Sequence, residues 1–244
     1  MKIILSPSKR QNKDLKLDNS IKPLIFPEKT NKLYEILNNK DKSELGKILN
    51  ISNNLLDKSY KFYENFNSSS KKHCISTYNG LVFKNINTES FSADELDYIE
   101  KNLRILSVMY GILTPMTGIY KYRLDMKAKF EDLDLYNFWK DEIENYFESE
   151  DCIINLASNE FSKLVKSKKL NDSIVDIVFK ETSDNEKYRT VAARAKKVRG
   201  MMVDFMVKNN INSLESLKKF KGINYSYNQD MSSEKELYFT RFNK

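Results

Sequence analysis

Short apolar runs alternate along this chain with longer apolar stripes at helical spacing. Lys2–Leu5 is an apolar run that stops at Ser6 and Pro7, so we predict a buried strand ended by proline. Residues 151–157 form a second run of this kind, and Glu236–Phe242 alternates like a strand at a sheet edge. The pattern predicts an α/β protein of mixed α+β type. We expect a single domain over residues 1–244, with a mixed sheet and flanking helices.

Apolar residues three and four positions apart predict the helices. Three stripes between about residues 30 and 66 predict two or three short helices, and residues 131–150 and 195–207 predict two longer ones. The remaining predicted elements are strands at 74–78, 174–179 and 188–192, a turn at Asn79 and Gly80, a polar turn at 183–185, and a loop at 67–72.

The segment 91–126 carries the strongest local signals. Ser92 and Glu95 are spaced as a capping box, which marks a helix start. The apolar stripe that follows consists of Leu96, Ile99, Leu103 and Leu106. We predict that this helix ends near Tyr110 and Gly111, because glycine tolerates left-handed backbone angles and a proline follows closely.

Aromatic and basic residues follow that predicted helix end. They are Tyr120, Lys121, Tyr122, Arg123, Lys127 and Lys129. The combination suits a polyanion, and Tyr110, Tyr122 and Arg123 are candidates to stack on bases; buried tyrosines are the alternative. Arg104 either pairs with a carboxylate of its own helix or points into a pocket.

Composition limits the function classes. The chain has 244 residues, 40% of them hydrophobic, with a formal net charge of +7 and a pI near 9.1, which favours an acidic partner such as nucleic acid. Lys, Asn and Ile are abundant throughout, so only clusters of charge are informative. No apolar run approaches the roughly 18 residues of a membrane helix, and no signal peptide is recognisable. We therefore expect a cytoplasmic protein without a membrane partner, and a monomer.

Cysteine and histidine are scarce. Cys74, Cys152 and His73 are the only residues of these types, too few for a disulfide scaffold or a zinc site. His73 and Cys74 would point to opposite faces of a strand, which argues against a nucleophile pair. We expect no metal site and no cofactor.

Polar residues cluster where two predicted strands end. Ser6 and Lys9 follow the first strand, at the edge where open α/β sheets bind ligands; an ordinary loop is the alternative. Asn155, Ser158 and Glu160 follow the second strand. There a carboxylate with amide and hydroxyl neighbours can act as a general base or orient a ribose hydroxyl. The competing interpretation is that Ser158 or Asn159 caps the next helix.

Residues 194–200 open a helix with several cations. Cations at a helix N-terminus oppose the helix dipole, so their presence often marks a site. Helical spacing directs Lys196 and Arg199 toward a cleft, with Lys197 beside them. A solvated basic face in a lysine-rich protein is the alternative.

At these residues the chain resembles the YaaA family of bacterial peroxide-stress-resistance proteins. The similarity runs over nearly the whole length. It includes ILSPSK, TYNG, FSADELDYIEKNLRILSVMYGILTP, YKYRLDM, DLYNFWKDEI, INLASNEF, AKKVRGMM and LYFTR, in this order.

The resemblance implies a cytosolic protein that limits oxidative damage under hydrogen peroxide and is associated with lower free iron. It also implies a helix–hairpin–helix-like element, here at about 93–122, and a positively charged cleft that binds DNA. That cleft would draw on Lys9, Arg104, Arg123, Lys196, Lys197 and Arg199. With so few Cys and His residues, the chain is poorly equipped to hold iron through nitrogen or sulfur ligands.

Two main hypotheses are open on these residues. The first is a DNA-binding stress protein in which amides of the hairpin at Tyr110 and Gly111 and the basic residues contact phosphates of double-stranded DNA or another nucleic acid. The second is an enzyme that acts on a nucleotide, nucleoside or nucleobase, with Ser6, Lys9 and the helix cations on phosphate and Asn155 and Glu160 on the sugar or base. Whether the protein is an enzyme is therefore undecided. A basic interaction protein is a third option.

Overall fold

A computed structural model describes residues 1–13, 15, 17, 20–66, 70–184 and 186–243. Within these residues the strands are β1 (Lys2–Leu5), β2 (Lys72–His73), β3 (Leu103–Ser107), β4 (Gly111–Leu113), β5 (Gly118–Ile119), β6 (Ile153–Asn155), β7 (Ile174–Thr182), β8 (Lys221–Gly222), β9 (Tyr225–Tyr227) and β10 (Glu236–Phe242). Eight of them form one sheet in the order β4-β3-β1-β6-β7-β10-β9-β8, and β2 pairs with β5.

The helices of the same residues flank this sheet. They are α1 (Pro27–Asn38), α2 (Lys42–Leu49), α3 (Asn53–Glu64), α4 (Cys74–Thr77), α5 (Ala93–Asn102), α6 (Leu135–Phe147), α7 (Asn159–Ser162), α8 (Ala192–Lys208) and α9 (Leu214–Leu217), with 3-10 turns at Phe83–Asn85 and Thr88–Ser90. The predicted mixed α/β fold with a large mixed sheet and flanking helices is confirmed.

The centre of the sheet is parallel and buried. Strands β3, β1, β6, β7 and β10 run parallel, while β4, β9 and β8 pair antiparallel at the two edges. Every residue of β3 and β6 is buried, as expected for parallel strands covered on both faces. Within the described residues, no helix is long and apolar enough to cross a membrane.

The order of the strands creates a crevice between β1 and β6. These two strands are parallel neighbours, with Ile3 paired to Ile154 and Ile4 to Asn155. After β1 the chain next enters this sheet at β3, on one side, whereas after β6 it enters at β7, on the other side. Connections that leave in opposite directions open a space at the carboxyl ends of the two strands, where open α/β sheets bind ligands.

The segment 91–126 folds differently from the prediction. The capping box of Ser92 and Glu95 is present, but α5 ends at Asn102. Residues 103–107 form β3 and return through β4, so a β-hairpin stands in place of the predicted helix–hairpin–helix-like element at about 93–122. The physical reason is tertiary. Residues 103–107 are completely buried as a strand between β1 and β4, and this burial stabilises them more than the helix that the spacing of the leucines favours. A helix pair with a short connection lies instead at α2 and α3.

Other local predictions are corrected as well. The predicted strand at 74–78 is helix α4, and the predicted strand at 188–192 is only a bridge between Arg189 and Glu181. β10 is an interior strand, because β9 covers its outer side. Parts of the predicted loop at 67–72 and of the turn at 183–185, namely residues 67–69 and 185, lie outside the described residues.

Candidate functional site

A cleft of about 600 Å³ lies at the carboxyl ends of β1 and β6, in the crevice between these strands. Its walls come from four segments and one helix, distant in sequence. They are residues 6–11, 79–84 and 122–125, then Leu156, Ser158, Glu160 and Phe161, and finally Lys196 and Arg199 of α8. The structure therefore brings together seven predicted site residues: Ser6, Lys9, Arg123, Ser158, Glu160, Lys196 and Arg199.

The two strand ends are joined by serine hydroxyls. The backbone N–H of Ser158 donates to Oγ of Ser6 at 2.8 Å, and the two Oγ atoms lie 3.0 Å apart. Ser158 holds the N-cap position of α7, but its side chain makes no capping bond there. The capping interpretation of this hydroxyl is therefore wrong, and both hydroxyls belong to the cleft wall.

The loop after β1 is held in a fixed curve. Ser8 Oγ accepts from the N–H of Arg10 at 3.1 Å, and Gln11 Oε1 accepts from the N–H of Tyr122 at 2.9 Å. Gly80 approaches this loop so closely that a Cβ there would lie 2.7 Å from Ser8 Oγ. These contacts present Lys9 at the mouth, where its Nζ reaches a carboxylate oxygen of Asp125.

The floor of the cleft is a buried chain of hydroxyl groups. Tyr122 OH lies 2.9 Å from both Tyr78 OH and Ser107 Oγ. Burial raises the pKa of Tyr122 to about 12, so its phenol stays protonated near neutral pH. Tyr122 is therefore buried in the floor and is not free to stack on a base.

Two charged side chains in the cleft have a buried polar atom without a partner. Nε of Arg199 and Oε1 of Glu160 make no hydrogen bond within the described residues. Burial also lowers the pKa of Arg199 from its ordinary value, although a guanidinium stays cationic near neutral pH. Native proteins pair nearly all such groups, so each unpartnered atom calls for an explanation.

Helix α8 is fixed at both ends of its basic turn. Arg194 donates to the buried carboxylate of Glu181, which also accepts from Tyr225 OH and Asn243 Nδ2. One turn after Lys196, Gly200 lies against the 3-10 turn so tightly that a Cβ would come within 2.1 Å of the Val82 carbonyl oxygen. The helix therefore holds Lys196 and Arg199 over the cleft, while Lys197 is exposed and does not line it.

Asn155 lies beneath the cleft and does not line it. Its side chain is buried, with Nδ2 donating to Asp176 at 2.5 Å and Oδ1 accepting from the N–H of Ala157 at 3.0 Å. Both ends of the amide are occupied by protein partners, so Asn155 positions the end of β6.

Besides Lys197, three other residues predicted to bind phosphate lie outside the cleft. Arg104 is buried in β3, where it donates to Tyr146 OH and to the carbonyls of Glu100 and Leu103. Tyr110 is 1% exposed and donates to the Tyr120 carbonyl at 2.9 Å. Gly111 is packed between Trp139 and Phe26. These hydrogen bonds and the packing of Gly111 stabilise the β3–β4 hairpin and its surroundings.

Sequence reasoning misses Asp125, Gln11 and Gly80 as parts of the cleft. The signal for Asp125 is its position two residues after Arg123, in the aromatic and basic stretch, but no local pattern pairs it with Lys9. Among the described residues, no group of three His, Cys, Asp or Glu side chains is arranged to hold a metal ion.

Comparisons with known proteins agree over nearly the whole chain. The family described as peroxide stress protein YaaA matches residues 1–231. A UPF0246 protein of Fusobacterium nucleatum is 37% identical over 250 residues, covering all of both chains. A UPF0246 protein of Finegoldia magna is 40% identical over 99% of this chain and 98% of its own length, and one of Rickettsia felis is 36% identical over 99% and 100%. The chain belongs to the YaaA (UPF0246) family of peroxide stress proteins.

Proposed function

We propose that this protein binds DNA through the cleft between β1 and β6 and so limits oxidative damage to DNA during peroxide stress. The observation that carries the proposal is the convergence of Lys196, Arg199, Lys9 and Arg123 on one concave site, with an unpartnered Nε on Arg199. A phosphodiester is the group in DNA that such cations neutralise.

Arg199 is the strongest candidate for a phosphate contact. Leaving a buried donor unpaired costs about 1–3 kcal/mol, and more for a charged group, so an incoming anion would recover that free energy. Lys196 lies three positions earlier on the same helix and faces the same space. The hydroxyls of Ser6 and Ser158 add neutral donors nearby. Lys9 contributes less, because Asp125 already compensates its charge.

The test is the affinity of a short duplex at several salt concentrations. Wild-type binding should weaken steeply between about 50 and 200 mM salt, since each phosphate contact releases counterions. Arg199→Gln should weaken binding about 10- to 100-fold, the equivalent of one charged hydrogen bond. Lys197→Gln is the matched control, because this exposed cation lies on the same turn but does not line the cleft.

Two results would contradict the proposal. One is wild-type affinity that does not change with salt. The other is an Arg199→Gln protein, folded with a normal melting temperature, that binds the duplex as well as Lys197→Gln does.

A second candidate function is an enzyme that acts on a nucleotide, nucleoside or nucleobase. Glu160 favours it, because its buried carboxylate oxygen has no partner within the described residues, in a cleft that also holds two serine hydroxyls. A protein that only binds DNA through its phosphates has no use for such a carboxylate. In this role Glu160 would accept a proton or a hydroxyl hydrogen bond from the ligand, while Arg199 and Lys196 hold the phosphate.

Glu160→Gln separates the two candidates. If the protein only binds DNA, the Glu160→Gln variant should keep both its duplex affinity and its protection of cells against peroxide. If the protein is an enzyme, the variant should keep the affinity and lose the protection. Glu131→Gln, at an exposed position outside the cleft, is the control. Equal peroxide survival of cells carrying Glu160→Gln and Glu131→Gln would contradict the enzymatic candidate.

The association with lower free iron does not require iron binding at this cleft. Among the described residues, six cationic side chains line the cleft against the carboxylates Glu160 and Asp125, which is unfavourable for a divalent cation; they are Lys9, Arg10, Lys84, Arg123, Lys196 and Arg199. We propose that protection acts at the DNA, through binding or through the enzymatic step above.

A further inference from the structure

A second basic surface lies beside the cleft, between α6 and residues 163–169. It is a groove of about 420 Å³, here named the lysine groove, and its cations are Lys140, Lys163, Lys166, Lys168 and Lys169. Among the described residues that line it, Glu144 is the only carboxylate, and it is buried. Five cations against one carboxylate is far from the whole-chain balance of 41 Lys and Arg to 34 Asp and Glu. The abundance of lysine in the chain therefore does not account for the groove.

Most of these charges are weakly compensated. Lys166 pairs with Asp176 at 2.9 Å, but the pair of Lys169 with Glu148 is long, at 3.9 Å, and exposed. Within the described residues Lys140, Lys163 and Lys168 have no carboxylate partner; Lys163 lies over the Tyr136 ring, 5.9 Å from its centre. The hydroxyl of Ser167, in the groove wall, is buried without a hydrogen-bond partner.

The lysine groove adjoins the cleft across the short helix α7. Glu160 lines the cleft, and its backbone carbonyl accepts from Tyr136 OH at 3.0 Å, while Tyr136 lines the groove. A linear polyanion that leaves the cleft next to Glu160 would therefore reach the groove at Tyr136.

The groove offers no exposed aliphatic anchor, and its one aromatic side chain among the described residues, Tyr136, is half-buried and donates to the Glu160 carbonyl. Leu164 in its wall is 4% exposed, and the large hydrophobic side chains exposed among the described residues are Ile21, Leu55, Leu81 and Phe242, none of which lines it. A protein partner would need a buried apolar or aromatic centre, and a membrane-binding surface would need side chains that insert. Exposed lysines alone suit a chain of phosphates, which is bound by charge with little shape requirement.

We propose that the lysine groove is a second contact surface for the DNA backbone and continues the phosphate track that begins at Arg199. This inference rests on the proposed DNA-binding function. It adds the direction in which the DNA backbone leaves the cleft and a larger contact surface on the protein. The lysines would contact phosphates without sequence preference, so removing them should change salt dependence more than specificity.

The test compares two triple variants of equal net charge. Lys140→Gln, Lys163→Gln and Lys168→Gln together remove the unpaired groove charges. The matched control removes three exposed lysines that line neither the groove nor the cleft: Lys32, Lys219 and Lys221. Binding of a fluorescent duplex of about 20 base pairs is measured by anisotropy from about 50 to 200 mM salt.

The groove variant should lower the slope of log affinity against log salt by about 2.7, at roughly 0.9 per lost phosphate contact. Over that salt range, wild-type affinity should fall about 40-fold more than the affinity of the groove variant. The control variant should keep a slope close to that of the wild type.

The outcomes separate this inference from the proposed function. If the wild type does not bind the duplex, both are wrong. If Arg199→Gln weakens binding but the groove variant behaves like its control, only the groove inference is wrong. If the groove variant loses binding to vesicles with anionic phospholipid while its duplex slope stays at the control value, the surface recognises lipid and the inference is also wrong.

Discussion

Arg104 and Arg199 show how one residue type takes two roles in this protein. Arg104 is surrounded by internal acceptors, the hydroxyl of Tyr146 and two carbonyls, so its charge is used within the fold. Arg199 is only partly buried, but its Nε is a buried atom that has no partner within the described residues. Because an unpaired buried donor on a charged group is costly, Arg199 is the one we expect to meet a ligand.

A residue-scale prediction concerns Gly111. Its φ of 71° is in the left-handed region, and a Cβ would lie 2.7 Å from Trp139 and 2.8 Å from Phe26. Gly111→Ala should therefore lower the free energy of unfolding by about 3 kcal/mol, from backbone strain and overpacking together. Urea denaturation measures this loss.

The same variant checks the role of the hairpin in binding. Gly111 lies outside the cleft, so the folded fraction of Gly111→Ala should bind duplex DNA like the wild type. A stable variant with DNA affinity reduced more than tenfold would instead favour the hypothesis that the hairpin amides contact phosphate.

At the scale of elements, α8 determines the position of the cations in the cleft. Its first turn is fixed to β7 through Arg194 and Glu181, and its third turn packs on the 3-10 turn at Phe83–Asn85. Gly200 makes that close packing possible. The cations near the start of α8 oppose the helix dipole, but Arg194 is compensated by Glu181 and only Lys196 and Arg199 face the cleft.

An element-scale prediction follows for Gly200. Gly200→Ala would gain about 1 kcal/mol of helix propensity but would push the new Cβ against the Val82 carbonyl, which has little freedom to move. We expect a net loss of about 2 kcal/mol in stability and weaker duplex binding, because Arg199 is displaced with the helix. Thermal unfolding and anisotropy measure the two effects.

Gly46→Ala is the matched control within α2. There the nearest atom to the new Cβ is a flexible Leu56 methyl group at 3.0 Å, so the change should stay within about 1 kcal/mol of the wild type. If Gly200→Ala were as stable as Gly46→Ala and bound DNA normally, the proposed tight fit of α8 would be wrong.

Elements with local signals are the easiest to predict from the sequence. β1 ends just before Ser6 and Pro7, α5 begins after its capping box, and α1, α2 and α3 follow their apolar stripes. β3 is missed because Leu103 and Leu106 fit a helical stripe, while its strand pairing depends on β1, about 100 residues away. Such long-range pairing leaves no periodic pattern in a five-residue strand.

At the scale of the whole molecule, a buried network joins distant parts of the chain. Glu181 of β7 is fully buried and accepts from Arg194 of α8, Tyr225 of β9 and Asn243 near the C-terminus. Burial alone would raise the pKa of Glu181, but the hydrogen bonds from Arg194, Tyr225 and Asn243 outweigh it and lower the pKa below the usual range.

This network predicts a pH dependence of stability. A carboxyl group with a lowered folded-state pKa stabilises the fold fully above its unfolded pKa of about 4.3 and loses this effect as the pH falls through the folded pKa. Glu181→Gln should therefore lower the melting temperature by roughly 5 °C at pH 7, and the difference from the wild type should shrink below about pH 4. Differential scanning calorimetry at about pH 7, 5 and 3.5 tests this.

The control for that prediction is Glu131→Gln, at an exposed position. It should leave the melting temperature nearly unchanged at each pH. A Glu181→Gln protein whose deficit stayed constant down to about pH 3.5 would show that the charge of Glu181 is not what stabilises the network.

Local signals, and motifs in their order along the chain, are enough to identify the family and the mixed α/β class from the amino-acid sequence, together with seven of the residues that line the cleft. Which polar residues meet depends instead on tertiary contacts. Within the described residues Arg199 has an unpartnered Nε whereas Arg104 is bonded within the fold, Lys9 pairs with Asp125, and Asn155 is buried. Each of these outcomes depends on which strands and segments become neighbours in the folded chain. The lysine groove likewise exists only in the folded chain, because that surface forms where α6 packs beside residues 163–169.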